Sequence, residues 1–393
     1  MGDLVNLKTR LAGVIKPTCF HRGNRMKYLL IKGSMHVVGY SPDGDSMMFK
    51  AANPALWDGL ENENKEIFTE KLTKENGAVQ LRLEGIDALE THFGPMPLPT
   101  PPDLKSKEKE KDKEKKPKPG GYKQPEEIGR VAAEAFMWLV GVKKPQWKKF
   151  GKTTWVAKAC FEKDGQEVWL DEKQTDHIPA YIVTSNIEKN GRPLAWVFPG
   201  DTADADGSEL TKDMLAERLE KSVNYQLLRY GLVYPYFFMT LAGRLRDKLI
   251  EAVRRAQADG HQKRLALENS TTERTRKIPN LWVYDRSVAE GIKIADLKNI
   301  TDETEIHPYL FRKIIKVWYA QKMQGYWTSL RDRSPYEFDE NDKSLTLAGL
   351  FEDGDPTVFI VSDQDFVKLS EIVQIKDNTL QLMRHPMDIV FLS

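Results

Sequence analysis

"VQLRLEGIDALETHF", Val79 to Phe93, begins as a buried strand and ends as something else. Val79, Leu81 and Leu83 alternate with polar positions, the period of a strand with one covered face. An arginine, Arg82, stands inside the apolar run, and two carboxylates, Asp87 and Glu90, follow it within a few residues. Burying charge is costly unless the charge is paired or used in chemistry. The stretch therefore announces either a structural ion pair or part of an active site.

The chain around it has 393 residues, enough for a sizeable core and two domains. It is 40% hydrophobic and 30% charged, an ordinary globular balance. Its 59 basic and 58 acidic residues leave a net charge of +1, so any nucleic-acid partner must be met by a local patch. The 2 cysteines, Cys19 and Cys160, show no metal-ligand spacing and suggest a reducing compartment. No signal peptide and no membrane-length apolar run is read, which predicts a cytoplasmic protein without a membrane partner.

Before the decisive stretch, Leu4, Leu7, Leu11 and Val14 suggest a short amphipathic helix in an N-terminal extension, 1–25. Strands are then expected at "KYLLIKG", "MHVVGYS" and "SMMFKA", with the turn "SPDGDS" between the last two. After it, residues 97–121 are rich in Pro, Lys and Glu and are predicted to be a disordered insert. Order should resume with a helix over "PEEIGRVAAEAFMWLVG" and strands at "TTWVAKACFE", "QEVWLD" and "AYIVTSNIEKNGRPLAWVF", the last with a turn at "EKNGR". Two helices follow, predicted to end at Gly231 and Gly260. Residues 284–393 read as a separate α+β unit of unknown fold, with a helix over "EIHPYLFRKIIKVWYAQKMQGYW" and short strands at "PTVFIVSD", "EIVQIKD" and "MDIVFLS".

The β-rich first half points to a small closed sheet, a shape that binds oligonucleotides on one face. "DGDS" supplies Asp43 and Asp45 at a hairpin mouth, "RLEGIDALE" supplies Arg82, Asp87 and Glu90, and "NGRPLA" supplies Arg192 at the start of a strand. Carboxylates suit a hard cation. Guanidinium forks suit a phosphodiester, and a further carboxylate can orient or deprotonate water.

These motifs, with "GRVAAEAF" at 129–136, "VNYQLLRYGL" at 223–232 and "NLW" at 280–282, resemble the staphylococcal (thermo)nuclease-like family. That family carries, in this order, a DGDT-type hairpin, R-L-x-G-I-D-A-P-E, a small-residue helix, Y-G-R-x-L-A, V-N-x-x-L-V and a G-x-W tail. The likeness spans 26–283. It implies an α+β chain whose core is a five-stranded OB-fold barrel with flanking helices. It implies a Ca²⁺-type phosphodiesterase, with Mg²⁺ or Mn²⁺ as alternatives, that cuts DNA or RNA with little sequence preference and leaves 3′-phosphates. By the resemblance, Asp45, Asp87 and the carbonyl of Ala88 would bind the metal, and Asp43 and Ser46 would support them. Glu90 would act on the water, and Arg82 and Arg192 would clamp the phosphate. Tyr234 and Tyr236 stand where nucleic-acid-contacting tyrosines are found. Ser46, Leu89 and Asn190 depart from the family's Thr, Pro and Tyr.

Three plainer readings stand beside this one. The charged residues would also suit a structural salt-bridge cluster. The barrel would also serve as a non-catalytic nucleic-acid-binding scaffold. Residues 284–393 would also serve as a homo-oligomer contact or regulatory partner surface, or as a restraint on a nuclease active inside its own cell. His92, the lysine-rich run and the second DGD at 353–355 read as surface features.

Overall fold

The computed structural model describes residues 27–107, 115–150, 153–163, 165–171, 178–268, 278–294, 298–334, 336 and 345–392. The expected N-terminal helix, Cys19 and the middle of the lysine-rich insert lie outside the described residues. The overall class is α+β.

Five strands close on themselves: β1 (Tyr28–His36), β2 (Ser46–Ala51), β3 (Ala78–Leu83), β4 (Ile178–Ile187) and β5 (Pro193–Pro199). The order around the barrel is β1-β2-β3-β5-β4, and β4 returns to β1. All pairings are antiparallel except β3 with β5. Closure removes the exposed edges of a flat sheet. It places Leu30, Phe49, Val79, Leu81, Ile182 and Val197 in one apolar interior. Its mouth is where the β1–β2 hairpin and the end of β3 meet. The sequence reading split β1 in two; one strand runs through to His36, and the chain turns after it at Gly39 with φ +84°.

Helix α1 (Glu126–Leu139) lies where expected and packs Ile128, Ala132 and Phe136 into the core. A second, three-stranded sheet joins Val142–Phe150, Thr153–Lys163 and Gln166–Asp171. Its first strand, "VKKPQWKKF", escaped the sequence reading because its lysines and Pro145 hide the alternation. The helix predicted to end at Gly231 is broken in two. Ser222 accepts the amide of Tyr225 and starts a fresh helix, Val223–Arg229.

The next helix, α2 (Gly243–Glu268), begins later than predicted and runs straight through Gly260. That glycine is a point of close approach, since a Cβ there would lie 2.8 Å from the Cβ of Trp282. The 97–121 segment, expected to be disordered throughout, packs onto the fold at both flanks. Leu104 is fully buried, and Phe93 pairs with Tyr122 across the base of the excursion.

The C-terminal residues contain helix α3 (Pro308–Asp332) and two small sheets. They are joined intimately to the rest. Phe237–Phe238 pairs in parallel with Ile389–Phe391, and Val390 sits in the barrel-side core. Tyr236 packs against Phe391, Tyr309 and His307. Among the described residues no helix is long and apolar enough to cross a membrane.

Candidate active site

The hairpin and the end of β3 converge because their register demands it. Ser46 lies opposite Arg82, and the amide of Leu83 bonds the carbonyl of Asp45 at 2.9 Å. Gly44 lets the hairpin close on its neighbours, since a Cβ there would sit 2.8 Å from those of both Ala88 and Ala132. After β3 the chain reverses at Gly85, with φ +77°, into the two-residue strand Ile86–Asp87. That strand pairs with Tyr234–Pro235, placing Asp87 opposite Tyr234.

Arg82 joins the two aspartates. One Nη bonds Asp45, and the other bonds Asp87 Oδ1 at 2.5 Å. Asp45 also accepts the amide of Ala88 at 2.9 Å. Gln124 fixes Glu90 from both sides, its Oε1 accepting the Glu90 amide at 3.1 Å and its own amide bonding the Glu90 carbonyl at 2.8 Å. The Gln124 Nε2 continues to the carbonyl of Ile306 at 2.7 Å, just ahead of α3.

From α3 comes a second guanidinium. Arg312 Nη2 bonds Asp87 Oδ2 at 2.8 Å, and its Nη1 bonds Glu90 Oε1 at 2.6 Å. Both oxygens of Asp87, which is fully buried, therefore accept from arginines.

The electrostatics follow from this packing. Burial works against the charge of Asp87, but Arg312 and Arg82 beside it hold its carboxyl well below the usual range. Glu90 is pushed up, by burial first and by the neighbouring carboxylates next, against the pull of Arg312. Asp43 is pushed well up by burial and by Asp45 and Glu90. It accepts Gly44 N–H at 2.8 Å and Thr91 Oγ1 at 3.3 Å, a supporting position beside the cluster. Ser46 Oγ accepts from Gln80 Nε2 at 3.1 Å.

The structure thus brings together Asp43, Asp45, Arg82, Asp87, Ala88 and Glu90. Arg192 bonds within its own hairpin, its Nε donating to Glu188 Oε1 at 2.8 Å. Tyr234 is fully buried, its hydroxyl bonded to Asp285 at 3.0 Å and its ring against Trp282 and His307, so no face is open to a base. Tyr236 is half-buried, and its phenol is pushed up to about 12 by burial and by Asp87.

Sequence reasoning missed Arg312, Gln124 and His307. Arg312 carried a readable signal: an arginine inside "YLFRKII", the same anomaly that drew attention to Arg82.

His307 ties the C-terminal residues to the strand beside Asp87. Its Nε2 donates to the Pro235 carbonyl at 3.1 Å, and its Nδ1 accepts the Tyr309 amide at 3.2 Å, capping α3. Those roles require a neutral ring, and burial pushes its pKa down to about 4. The unfolded chain protonates this residue near 6.5. The stabilisation from the neutral ring is thus complete above that value and is lost as pH falls toward 4. The expected loss is about 3 kcal/mol. Urea titrations at pH 7 and pH 4.5 on wild type and His307→Asn should show it as a smaller acid loss in the variant, on top of the loss that buried His385 contributes to both. An identical pH dependence in the variant would refute the assignment.

Asp45, Asp87 and Glu90 present carboxylate oxygens, the donors a hard cation takes, but arginines already bond all three. Guanidinium groups balance those carboxylates in this arrangement, and among the described residues no three acidic, His or Cys side chains form a metal cage. Set against protein-family models and curated proteins, the chain matches none. The case for function rests on the geometry.

Proposed function

We propose that the barrel is an OB-type fold of the staphylococcal nuclease-like kind and that the chain is a metal-dependent phosphodiesterase acting on DNA or RNA. One observation carries this reading. Asp45 from one motif and Arg82, Asp87 and Glu90 from another, the residues the resemblance singles out, meet at one mouth of a closed five-stranded barrel. Asp45, Asp87 and the Ala88 carbonyl would hold a Ca²⁺-type ion, with Mg²⁺ or Mn²⁺ as alternatives, which supplies positive charge to the scissile phosphate. Arg82 offers forked donors to the charge that grows on the phosphoryl oxygens. Glu90, with its backbone fixed by Gln124 and its carboxyl raised, is suited to take a proton from water. Cleavage of the 5′-oxygen bond would leave a 3′-phosphate.

The test is a gel assay on single- and double-stranded DNA and on RNA, with Ca²⁺, Mg²⁺, Mn²⁺ or chelator, beside Glu90→Gln. Cation-dependent cleavage is expected, falling about 10²–10⁴-fold in the variant. A second reading draws on the arginines that already balance the acids: a non-hydrolytic nucleic-acid-binding module. Retained binding with no cleavage under any cation would favour it and sink the first.

A further inference from the structure

We propose that Arg312, delivered by α3, is the second phosphate-binding guanidinium of this site, parked at rest on Asp87 and Glu90. The inference rests on the phosphodiesterase reading and names a residue for it.

The position expected to supply that guanidinium, Arg192, is bonded to Glu188 in its own hairpin. Arg312 instead reaches the acids with two separate nitrogens. A guanidinium offers five donors in one plane, which match two oxygens of a carboxylate or of a phosphate equally well. What it grips here is therefore exchangeable for a phosphodiester.

The backbone of α3 cannot supply the exchange by moving. Phe311, Ile314 and Ile315 are fully buried on either side of Arg312, and Phe311 meets the ring of Phe93 edge-on at 6.4 Å. The side chain has somewhere to go. Arg312 lines an open cleft of about 490 Å³ between Phe93, Tyr309, Lys316 and the Gly354–Pro356 turn. Lys313 and Lys316 also line it, but both bond Asp353 across the cleft, which leaves Arg312 as the lining cation that Asp353 does not hold.

A cation at the acids bears on the same exchange. Because both oxygens of Asp87 are taken, the cation competes with Arg312 for that carboxylate. A phosphate that holds Arg312 in the cleft removes the competitor. Cation and phosphodiester then strengthen each other's binding, and the coupling is reciprocal.

The experiment uses the full chain as wild type, Arg312→Ala and Arg312→Lys, each checked for folding by near-ultraviolet circular dichroism. Ca²⁺ alone is titrated calorimetrically. A phosphorothioate oligothymidylate, which resists cleavage, is titrated in Ca²⁺ by fluorescence anisotropy. Arg312→Ala should bind Ca²⁺ about tenfold tighter than wild type and the oligonucleotide about tenfold weaker. Arg312→Lys should recover part of the oligonucleotide affinity. Unchanged Ca²⁺ affinity in Arg312→Ala would overturn the competition. Tighter Ca²⁺ binding with undiminished oligonucleotide binding would overturn the phosphate role and make Arg312 a simple plug. Both comparisons are binding measurements. If the wild type cut no nucleic acid, the hydrolytic reading would fall while the two affinities still decided the role of Arg312.

Discussion

Replacing Asp87 by alanine should destabilise the protein by about 3–5 kcal/mol, the cost of leaving buried charge without its partner. Arg82 and Arg312 both bond this one carboxylate, and it is fully buried. Without it two guanidiniums face each other, with Asp45 and Glu90 alone to balance them. The loss should appear as a lower urea midpoint at pH 7. The double variant Asp87→Ala, Arg312→Leu should be more stable than Asp87→Ala, because it removes one of the stranded charges. A loss below about 1 kcal/mol in the single variant would mean that the cluster behaves like a solvent-screened surface pair. Acid should act in the same direction as the substitution. The depressed carboxyl contributes stability that is present above the ordinary aspartate range and is lost as pH falls through its lowered value.

The second large effect is expected at Asn224, a residue with no part in the chemistry. It is fully buried, and its Oδ1 accepts the Val197 amide at 3.1 Å. Its Nδ2 donates to the carbonyls of Glu84 and Ala195, each at 2.9 Å. One side chain thus staples the helix Val223–Arg229 to β5 and to the turn that presents Asp87. Asn224→Ala strands a buried amide and a buried carbonyl, so a loss of about 3 kcal/mol is expected. Asn224→Asp keeps the acceptor but sets a carboxylate against two carbonyls, and at pH 7 it should be at least as damaging. Equilibrium unfolding of the three proteins decides it. An alanine variant within about 1 kcal/mol of wild type would show that water replaces the amide at little cost.

Much of the barrel mouth was legible because its signals are local. "DGDS" demands a tight hairpin, and the alternation in "VQLRL" sets which face is covered. An arginine in such a strand must find anions, and it finds Asp45 and Asp87. What stayed hidden depends on distant partners. Whether Gly260 ends a helix or admits Trp282 cannot be told from the glycine, since the two uses look alike in sequence. Ser222 was legible as a cap in principle, but continuous apolar spacing across it favoured one long helix. Tyr234 and Tyr236 sit in one short motif, yet one is sealed against Trp282 and the other lies beside Arg312. The C-terminal residues read as independent because nothing local in "MDIVFLS" says that its strand will lie beside Phe237 and Phe238.

The reach from Asp87 to Arg312 spans 225 positions of chain. On a ribosome the acids emerge first, and at ordinary elongation rates the helix that balances them follows roughly 10–45 s later. Through that interval a nascent barrel carries an under-compensated negative rim with Arg82 as its near guanidinium. The strand that pairs with Phe237–Phe238, Ile389–Phe391, is made later still. Barrel closure and neutralisation of its acidic rim are therefore separate events in the life of the chain.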